Sequence, residues 1–375
     1  MKIGIPKEIK PQESRVSTTP STVAELVRRG HQVSVQASAG DGCGFTDEAF
    51  RNAGAEILAD APAVFAAADM IIKVKEPQPP EVAMLEPRHL LFTYLHLAAD
   101  KKLTESLVAT GCTGIAYETV SVNRKLPMLE PMSEIAGRMS AIYGAAMLAK
   151  HHDGSGVLLP GVPGVPSGNV TVIGGGTAGF NAARIASGMG AQVTILELNQ
   201  ERITYIDNTL KNVRTYYSSP ENLDRLLPQT DLLIGAVLVP GAAAPKLVTR
   251  EKLRLMKPGS VFVDIAVDQG GCAETTRATT HEEPVYVEEG VVHYCVANMP
   301  GAYARTSTEA LSNSTRDWTL LLADHGAAAA CQQRPELVGG INCAGGKLTC
   351  PPVGAAHGLP TSDPLEALAG SPVGA

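Results

Sequence analysis

The stretch 170-VTVIGGGTAGFNAARIASGMGAQVTILE-197 decides how the rest of the chain is read. Residues 170–173, with Asn169 ahead of them, read as a buried strand. Three glycines follow at the spacing G-x-G-x-x-G: Gly174, Gly176 and Gly179. An apolar helical pattern runs from there to Met189, Gly190 ends it, and a second strand over 192–196 closes on an acid, Glu197. This strand–turn–helix–strand order is that of a dinucleotide-binding βαβ unit. Gly174 permits the tight turn, Gly176 lets backbone approach a pyrophosphate, and Gly179 lets helix pack close to strand. Phosphates would sit on the free N–H groups of the helix N-terminus, where the dipole favours anions. Glu197 would accept hydrogen bonds from the ribose hydroxyls, and its charge would repel a 2′-phosphate, which favours NAD over NADP. Arg202, five residues on, weakens that preference, and reads equally as a solvated helix residue.

Outward from this unit, 375 residues are too many for one typical core, so about two domains are expected. Charged residues make up 18% and hydrophobic ones 44%, a compact α/β composition. A net charge of -7 argues against nucleic acid as a partner. The opening MKIGIPKE is strand-like with no signal-peptide core, and no apolar run reaches the ~20 residues of a membrane span. The cysteines, Cys43, Cys112, Cys272, Cys295, Cys331, Cys343 and Cys350, are odd in number and contain no CxxC, which fits reduced thiols in a cytoplasm. Cys343 and Cys350 could form a redox-active or metal-binding pair, but no histidine or cysteine partner is spaced for a zinc site, so no metal site is expected.

Residues 1–125 alternate strand and helix, which implies a parallel sheet covered on both faces but without its own glycine fingerprint. The run from Ser133 to His151 is rich in Ala and Gly at helical spacing and predicts a close-packed helix with Ser133 as N-cap. Residues 153–168 read as a connector. In the second α/β region, 231–238 and 260–267 read as buried strands, the latter ending at Asp268. Ser307 is positioned to cap a helix running to about Asp324, and the remainder is too small to stand alone. The expected fold is α/β: two doubly wound domains, a Rossmann-type nucleotide domain (133–304) inserted into a discontinuous substrate domain (1–132 and 305–375). The glycine turn would then face a cleft.

Asp268 follows an apolar strand and precedes Gly270 and Gly271, as a site carboxylate or a turn residue would. Asp264 reads as structural. His96 follows the strand LLFTYL, and its intrinsic pKa suits general acid/base work, although a lone histidine is more often structural. Lys73 and Lys75 share one face of IIKVKEP, Lys75 nearer the carboxyl end. Arg15 stands in a loop after the first strand and is suited to hold a carboxylate bidentately. For a lone Lys or Arg, a solvated surface charge is the usual reading.

These stretches join in one resemblance. GIPKEIKPQESRVSTTP, IKVKEP, LFTYLHLA, AYETV, PMSEIAGRMS, VIGGGTAGFNAARIASGMGA, GAVLVPGAAAPKLV, VDIAVDQGGC and YCVANMPGAYARTST together closely resemble the L-alanine dehydrogenase family, in order, over nearly the whole chain. The resemblance implies reversible oxidative deamination of L-alanine to pyruvate and ammonia with NAD, in a homohexamer. It makes His96 and Asp268 catalytic and Arg15 and Lys75 substrate-binding. It puts cofactor contacts on Ser133, on Gly174, Gly176, Thr177, Ala178 and Gly179, and on Glu197, Arg202 and Ser218. It adds Val237 and Leu238, then Ile265, Ala266, Val267 and Asp268, then Arg277. The last of them are Val296, Ala297, Asn298 and Met299. It also puts Tyr94, Met132 and Asn298 near the substrate, where bulky neighbours would admit a methyl group and crowd longer side chains. Serine and 2-aminobutyrate would be weaker substrates, and glyoxylate would be accepted in the amination direction. Glu197 stands where many members carry Asp, and the tail DHGAAAACQQRPELVGG lacks an aromatic often found near its start. Two other readings stay open: an opine- or saccharopine-type dehydrogenase, and a non-catalytic NAD(H)-binding transhydrogenase subunit.

Overall fold

A computed structural model describes residues 1–237 and 244–373, and the chain divides into two units, 1–132 with 301–375, and 133–300. Six strands arise in the first part of the chain: β1 Lys2–Ile5, β2 Gln32–Gln36, β3 Glu56–Leu58, β4 Met70–Ile72, β5 Leu90–Thr93 and β6 Thr113–Ala116. Seven build the second unit: β7 Asn169–Ile173, β8 Gln192–Glu197, β9 Val213–Tyr217, β10 Leu232–Gly235, β11 Val261–Asp264, β12 Val285–Glu288 and β13 Val291–Tyr294. The chain then returns to the first sheet with β14 Ile341–Ala344 and β15 Lys347–Leu348. Four helices matter for the sites: α1 Glu130–Met147, α2 Thr177–Gly188, α3 Gln200–Thr209 and α4 Ala304–Gln333.

The first unit's sheet runs β15-β14-β6-β5-β4-β1-β2-β3, parallel from β6 to β3, with β14 and β15 added antiparallel at the β6 edge. Strand order reverses between β1 and β4. The second sheet runs β12-β13-β11-β10-β7-β8-β9, parallel except for the β12–β13 hairpin, and reverses between β7 and β10. Both sheets are therefore doubly wound, and in such sheets ligands bind beyond the carboxyl ends of the strands at the reversal. In the second sheet, Val170, Val172, Ile195, Ile234 and Val263 enter a core with α1 and α2. Ile173, Leu196, Leu233 and Phe262 enter another on the opposite face. Burial on both faces is why these strands read as mainly apolar runs.

Several local expectations are corrected. Helix α1 starts at Glu130, so Ser133 lies inside it and is not its N-cap. Pro131 fits the first turn, where no intrahelical N–H is needed, and a turn closed by the Glu130 N–H on the Leu126 carbonyl leads in. The helix ends at Met147, and Lys150–His152 forms a separate 3-10 turn. Its close packing has partners: a Cβ added at Gly137 would lie 2.1 Å from the Ala178 carbonyl oxygen, and one at Gly144 would lie 2.5 Å from the Leu232 side chain. Ser307 is likewise interior and buried, because α4 begins at Ala304; it runs to Gln333 with a break at Gly326, whose φ is 72°. Strand β11 stops at Asp264, four residues short of Asp268.

Candidate functional sites

In the second unit the glycine turn joins β7 to α2 at the strand reversal. Gly174 has φ +94°, a region costly for side-chain-bearing residues, and a Cβ there would lie 2.6 Å from the Ala236 carbonyl oxygen of the neighbouring strand end. At Gly179 a Cβ would fall 1.8 Å from the Gly174 carbonyl oxygen, whereas at Gly176 nothing lies within 4 Å. So two glycines serve packing and the middle one leaves an open backbone. Thr177 and Ala178 form the first turn of α2, whose N-terminus carries no side-chain cap. Its N–H groups and dipole are those of an anion site.

Glu197, at the end of β8, holds this turn. Its Oε2 accepts from the Gly175 N–H (2.7 Å), and its Oε1 from the Leu198 and Asn199 N–H groups (2.7 and 2.9 Å). Ser218, just past β9, donates its N–H to the Glu197 carbonyl at 2.9 Å. Arg202 is no solvated helix residue. Its Nε donates to the Gly175 carbonyl at 2.5 Å, and its guanidinium lies 5.1 and 4.8 Å from the Phe180 and Tyr205 ring centroids, a cation–π arrangement. Val237 follows β10 next to Ala236; Leu238 lies outside the described residues.

Asp268 sits in a 3-10 turn over Ile265–Gln269, with Ala266 and Val267 buried. The cause is Asp264, whose buried carboxylate accepts from the Ala266 N–H (3.0 Å), the Cys272 N–H (2.8 Å) and the Thr276 hydroxyl (2.6 Å). An aspartate bonding its own following backbone ends a strand and starts a turn. Burial raises the Asp264 pKa against those hydrogen bonds. Asp268 is exposed, and its Oδ2 lies 3.4 Å from the Asn298 N–H, at a residue with φ 59°. Val296 and Met299 are buried, the Ala297 N–H bonds the Thr279 carbonyl, and Arg277 stacks on Tyr286 at 3.8 Å.

In the first unit, Arg15, Lys75 and His96 follow β1, β4 and β5, on the carboxyl edge at and beside the reversal. Arg15 is 2% exposed. Its Nε and Nη2 donate to the two carboxylate oxygens of Glu13 at 2.7 and 2.6 Å, and its Nη1 lies 3.1 Å from Met132 Sδ. Burial would lower the Arg15 pKa, and the Glu13 charge outweighs it, so the net shift is upward. The loop carrying Arg15 is braced by α4: the Val16 N–H bonds Thr308 Oγ1 and the Thr19 N–H bonds Ser312 Oγ. Lys75 is 7% exposed, and its strand extension is pinned by Glu8, which accepts from the Val74 N–H at 2.7 Å. Lys73, on the same face, is spent on buried Glu8 and Glu81 at 3.0 and 2.6 Å.

His96 has left-handed backbone, φ 49°. Glu118 fixes it by accepting the His96 N–H at 2.7 Å and the Leu95 N–H at 3.0 Å. The His96 ring stands 5.8 Å from the Tyr94 ring, whose hydroxyl donates to the Met128 carbonyl at 2.5 Å. Burial raises the Tyr94 pKa, keeping the phenol neutral. Glu13, Glu76 and Glu118 were missed in the sequence reading, although Glu13 stands two residues from Arg15 and Glu76 next to Lys75.

Glu13→Gln keeps size and removes charge from a buried Arg pair. A hydrogen bond to a charged group is worth about 1.5–3 kcal/mol, and a loss of unfolding free energy of that order, read as a lower denaturant midpoint, is expected. An unchanged midpoint would mean that Glu13 does not hold Arg15 in solution.

Among the described residues there is no cluster of His, Cys, Asp or Glu suited to a metal, and no helix long and apolar enough to cross a membrane. Two family models match, "Alanine dehydrogenase/PNT, N-terminal domain" over residues 4–136 and "Alanine dehydrogenase/PNT, C-terminal domain" over 140–351. The chain is 54% identical to an alanine dehydrogenase of Halomonas elongata, covering 96% of this chain and 97% of that one. It is 52% identical to one of Bacillus subtilis, over 93% of each. A solved L-alanine dehydrogenase structure superposes with a TM-score of 0.90 at 47% identity, covering 95% of this chain and 99% of that one. A transhydrogenase structure from Sinorhizobium meliloti gives 0.79 at 26% identity, over 94% and 99%.

Proposed function

The chain belongs to the alanine dehydrogenase/PNT family, and from that premise we propose that it catalyses the reversible oxidative deamination of L-alanine to pyruvate and ammonia with NAD. One observation carries the reading: buried Arg15 and Lys75 stand with His96 on one sheet's carboxyl edge, in a chain about half identical, nearly end to end, to alanine dehydrogenases.

The glycine turn and the α2 N-terminus suit a dinucleotide, and Glu197 suits a ribose with a free 2′-hydroxyl, which favours NAD over NADP. Ser133, Arg202, Ser218, Val237, Leu238, Arg277, the Ile265–Gln269 turn and the segment 296–299 would complete that contact set. When bound, the nicotinamide supplies the acceptor or donor of the hydride at the substrate's C2. Arg15 and Lys75 hold the substrate carboxylate as cations, with Glu13 fixing the plane of the Arg15 guanidinium. His96 moves a proton to and from the oxygen on C2. Asp268, exposed on its turn, orients ammonia and stabilises the substrate nitrogen while it is cationic. Met132 and Tyr94, beside Arg15 and His96, favour a methyl side chain over longer ones.

We extend the proposal to a homohexamer, testable by light scattering, and to the cytoplasm, which the free, buried state of all seven cysteines supports. The deciding assay mixes purified protein, NADH, pyruvate and ammonium and follows NADH absorbance. Loss that requires ammonium supports the reading, and far slower loss with NADPH supports the role of Glu197. Loss that requires another amino acid instead would favour an opine-type reaction, and NADH binding without turnover a transhydrogenase-type module. Arg15→Ala is expected to raise the Michaelis constant for pyruvate with that for NADH unchanged; the opposite pattern would reject the assignment.

A further inference from the structure

Glu76 is set against His96. Its Oε2 lies 3.3 Å from His96 Nδ1, and its Oε1 is ion-paired with Lys10. The Glu76 side chain is only 12% exposed, against 36% for His96. Burial would raise the Glu76 pKa; the His96 hydrogen bond and the Lys10 and Lys75 charges outweigh it and hold the carboxyl well below the usual carboxylate range. Glu76 is therefore ionised, and an ionised carboxylate only accepts hydrogen bonds. The residue that carries the imidazole is held locally. Its backbone is fixed by Glu118, and the next carbonyl, Leu97, is held by Thr104 Oγ1 at 2.9 Å and by His357 Nε2 at 2.7 Å.

We propose that Glu76 is a positioning residue for His96: it accepts the hydrogen bond of Nδ1–H, selects that tautomer, and leaves the Nε2 lone pair for the substrate proton, with Lys10 steadying Glu76 from its other oxygen. A neutral imidazole has one donor and one acceptor nitrogen, so fixing Nδ1 as donor makes Nε2 the base. When Nε2 takes a proton, Nδ1–H still donates to the same carboxylate. Orientation of a catalytic base by a third group is the general logic of nucleophile–base constellations. The proposal rests on the reading of His96 as the proton-transfer group.

The test uses the whole 375-residue chain as wild type, Glu76→Gln and Glu76→Asp, with His96→Asn as the reference for assignment. Solid-state nitrogen spectra of histidine-labelled protein report tautomers directly, with His96 assigned by difference from His96→Asn. The wild type is expected to show neutral His96 as the Nδ1–H form, and Glu76→Gln to lose that preference. The kcat of Glu76→Gln is expected to fall by at least ~10-fold, less than the ~10²–10⁴ worth of a general acid–base group itself, with the pyruvate KM within ~3-fold. Glu76→Asp keeps the charge, so it should keep the tautomer and recover most of the turnover. An Nε2–H form in the wild type, or a tautomer unchanged in Glu76→Gln, overturns the proposal. So does a loss confined to KM. The tautomer spectra need no turnover, so absence of alanine dehydrogenase activity in the wild type would sink the functional reading while these spectra still decide the role of Glu76.

Discussion

His96→Asn is expected to lower turnover with pyruvate and ammonium by ~10²–10⁴, the usual worth of a general acid–base group, while NADH binding stays within experimental error. Asparagine is the better probe than alanine because His96 has φ 49°, and Asn tolerates left-handed backbone where most residues are strained. The loss then reports the imidazole rather than the turn. NADH binding is expected to survive because His96 belongs to residues 1–132 and the glycine turn to 133–300. Asp268→Asn is the companion. Asp268 is exposed and Asp264 holds its turn, so stability should move by less than about 0.5 kcal/mol while turnover falls by at least ~10². Fluorescence titration with NADH and steady-state rates separate the two effects. Near-normal turnover in either variant would remove that residue from the mechanism.

The sequence is most informative where one short segment contains its own physical reasons. The glycine turn is such a case: strand, turn, helix and acid lie within 170–197, and Gly174 and Gly179 stand where a side chain would clash, while Gly176 has open space around it. The strand order is not legible in this way, because the reversals between β1 and β4 and between β7 and β10 arise from pairings far apart in sequence. Without the reversals, the placing of Arg15, Lys75 and His96 after neighbouring strands β1, β4 and β5 could only be borrowed from a resemblance. The apolar residues Ile265, Ala266 and Val267 read as more strand, yet Asp264 turns the chain by capping their backbone. The sign was Asp264 itself, a residue type that bonds its own following backbone, and apolar periodicity outweighed it. Pro131 was a missed helix start. Gly345 and Gly346, with φ 54° and 77°, mark the β14–β15 hairpin, whose strands are too short to give a pattern. The supporting carboxylates were the least visible. Glu13, Glu76 and Glu118 look like surface charge until the fold sets them against their partners, and no periodicity announces an ion pair.

The glycine turn also yields a substitution whose outcome separates packing from recognition. Gly179→Ala puts a methyl group 1.8 Å from the Gly174 carbonyl oxygen, a backbone atom that moves only if the whole turn moves. Gly179 lies in α2 with no positive φ, so the penalty is steric and not conformational. Overpacking of this kind costs about 1–3 kcal/mol, at times more, and here the upper end is expected because the obstacle is main chain. Relief requires α2 to lift from β7, which carries the uncapped N–H groups away from any phosphate. NADH affinity is therefore expected to fall by on the order of 100-fold, equivalent to about 3 kcal/mol, together with a lower melting temperature. Gly176→Ala is the contrasting variant. Its φ is −61° and nothing lies within 4 Å of the added methyl, so stability should change by less than about 0.5 kcal/mol. If the pyrophosphate passes over this backbone, the methyl occupies its path and affinity falls without any loss of stability. Wild-type NADH affinity in Gly176→Ala would show that the phosphates do not lie on this turn. Wild-type affinity in Gly179→Ala would show that the turn and α2 can part without disturbing the site.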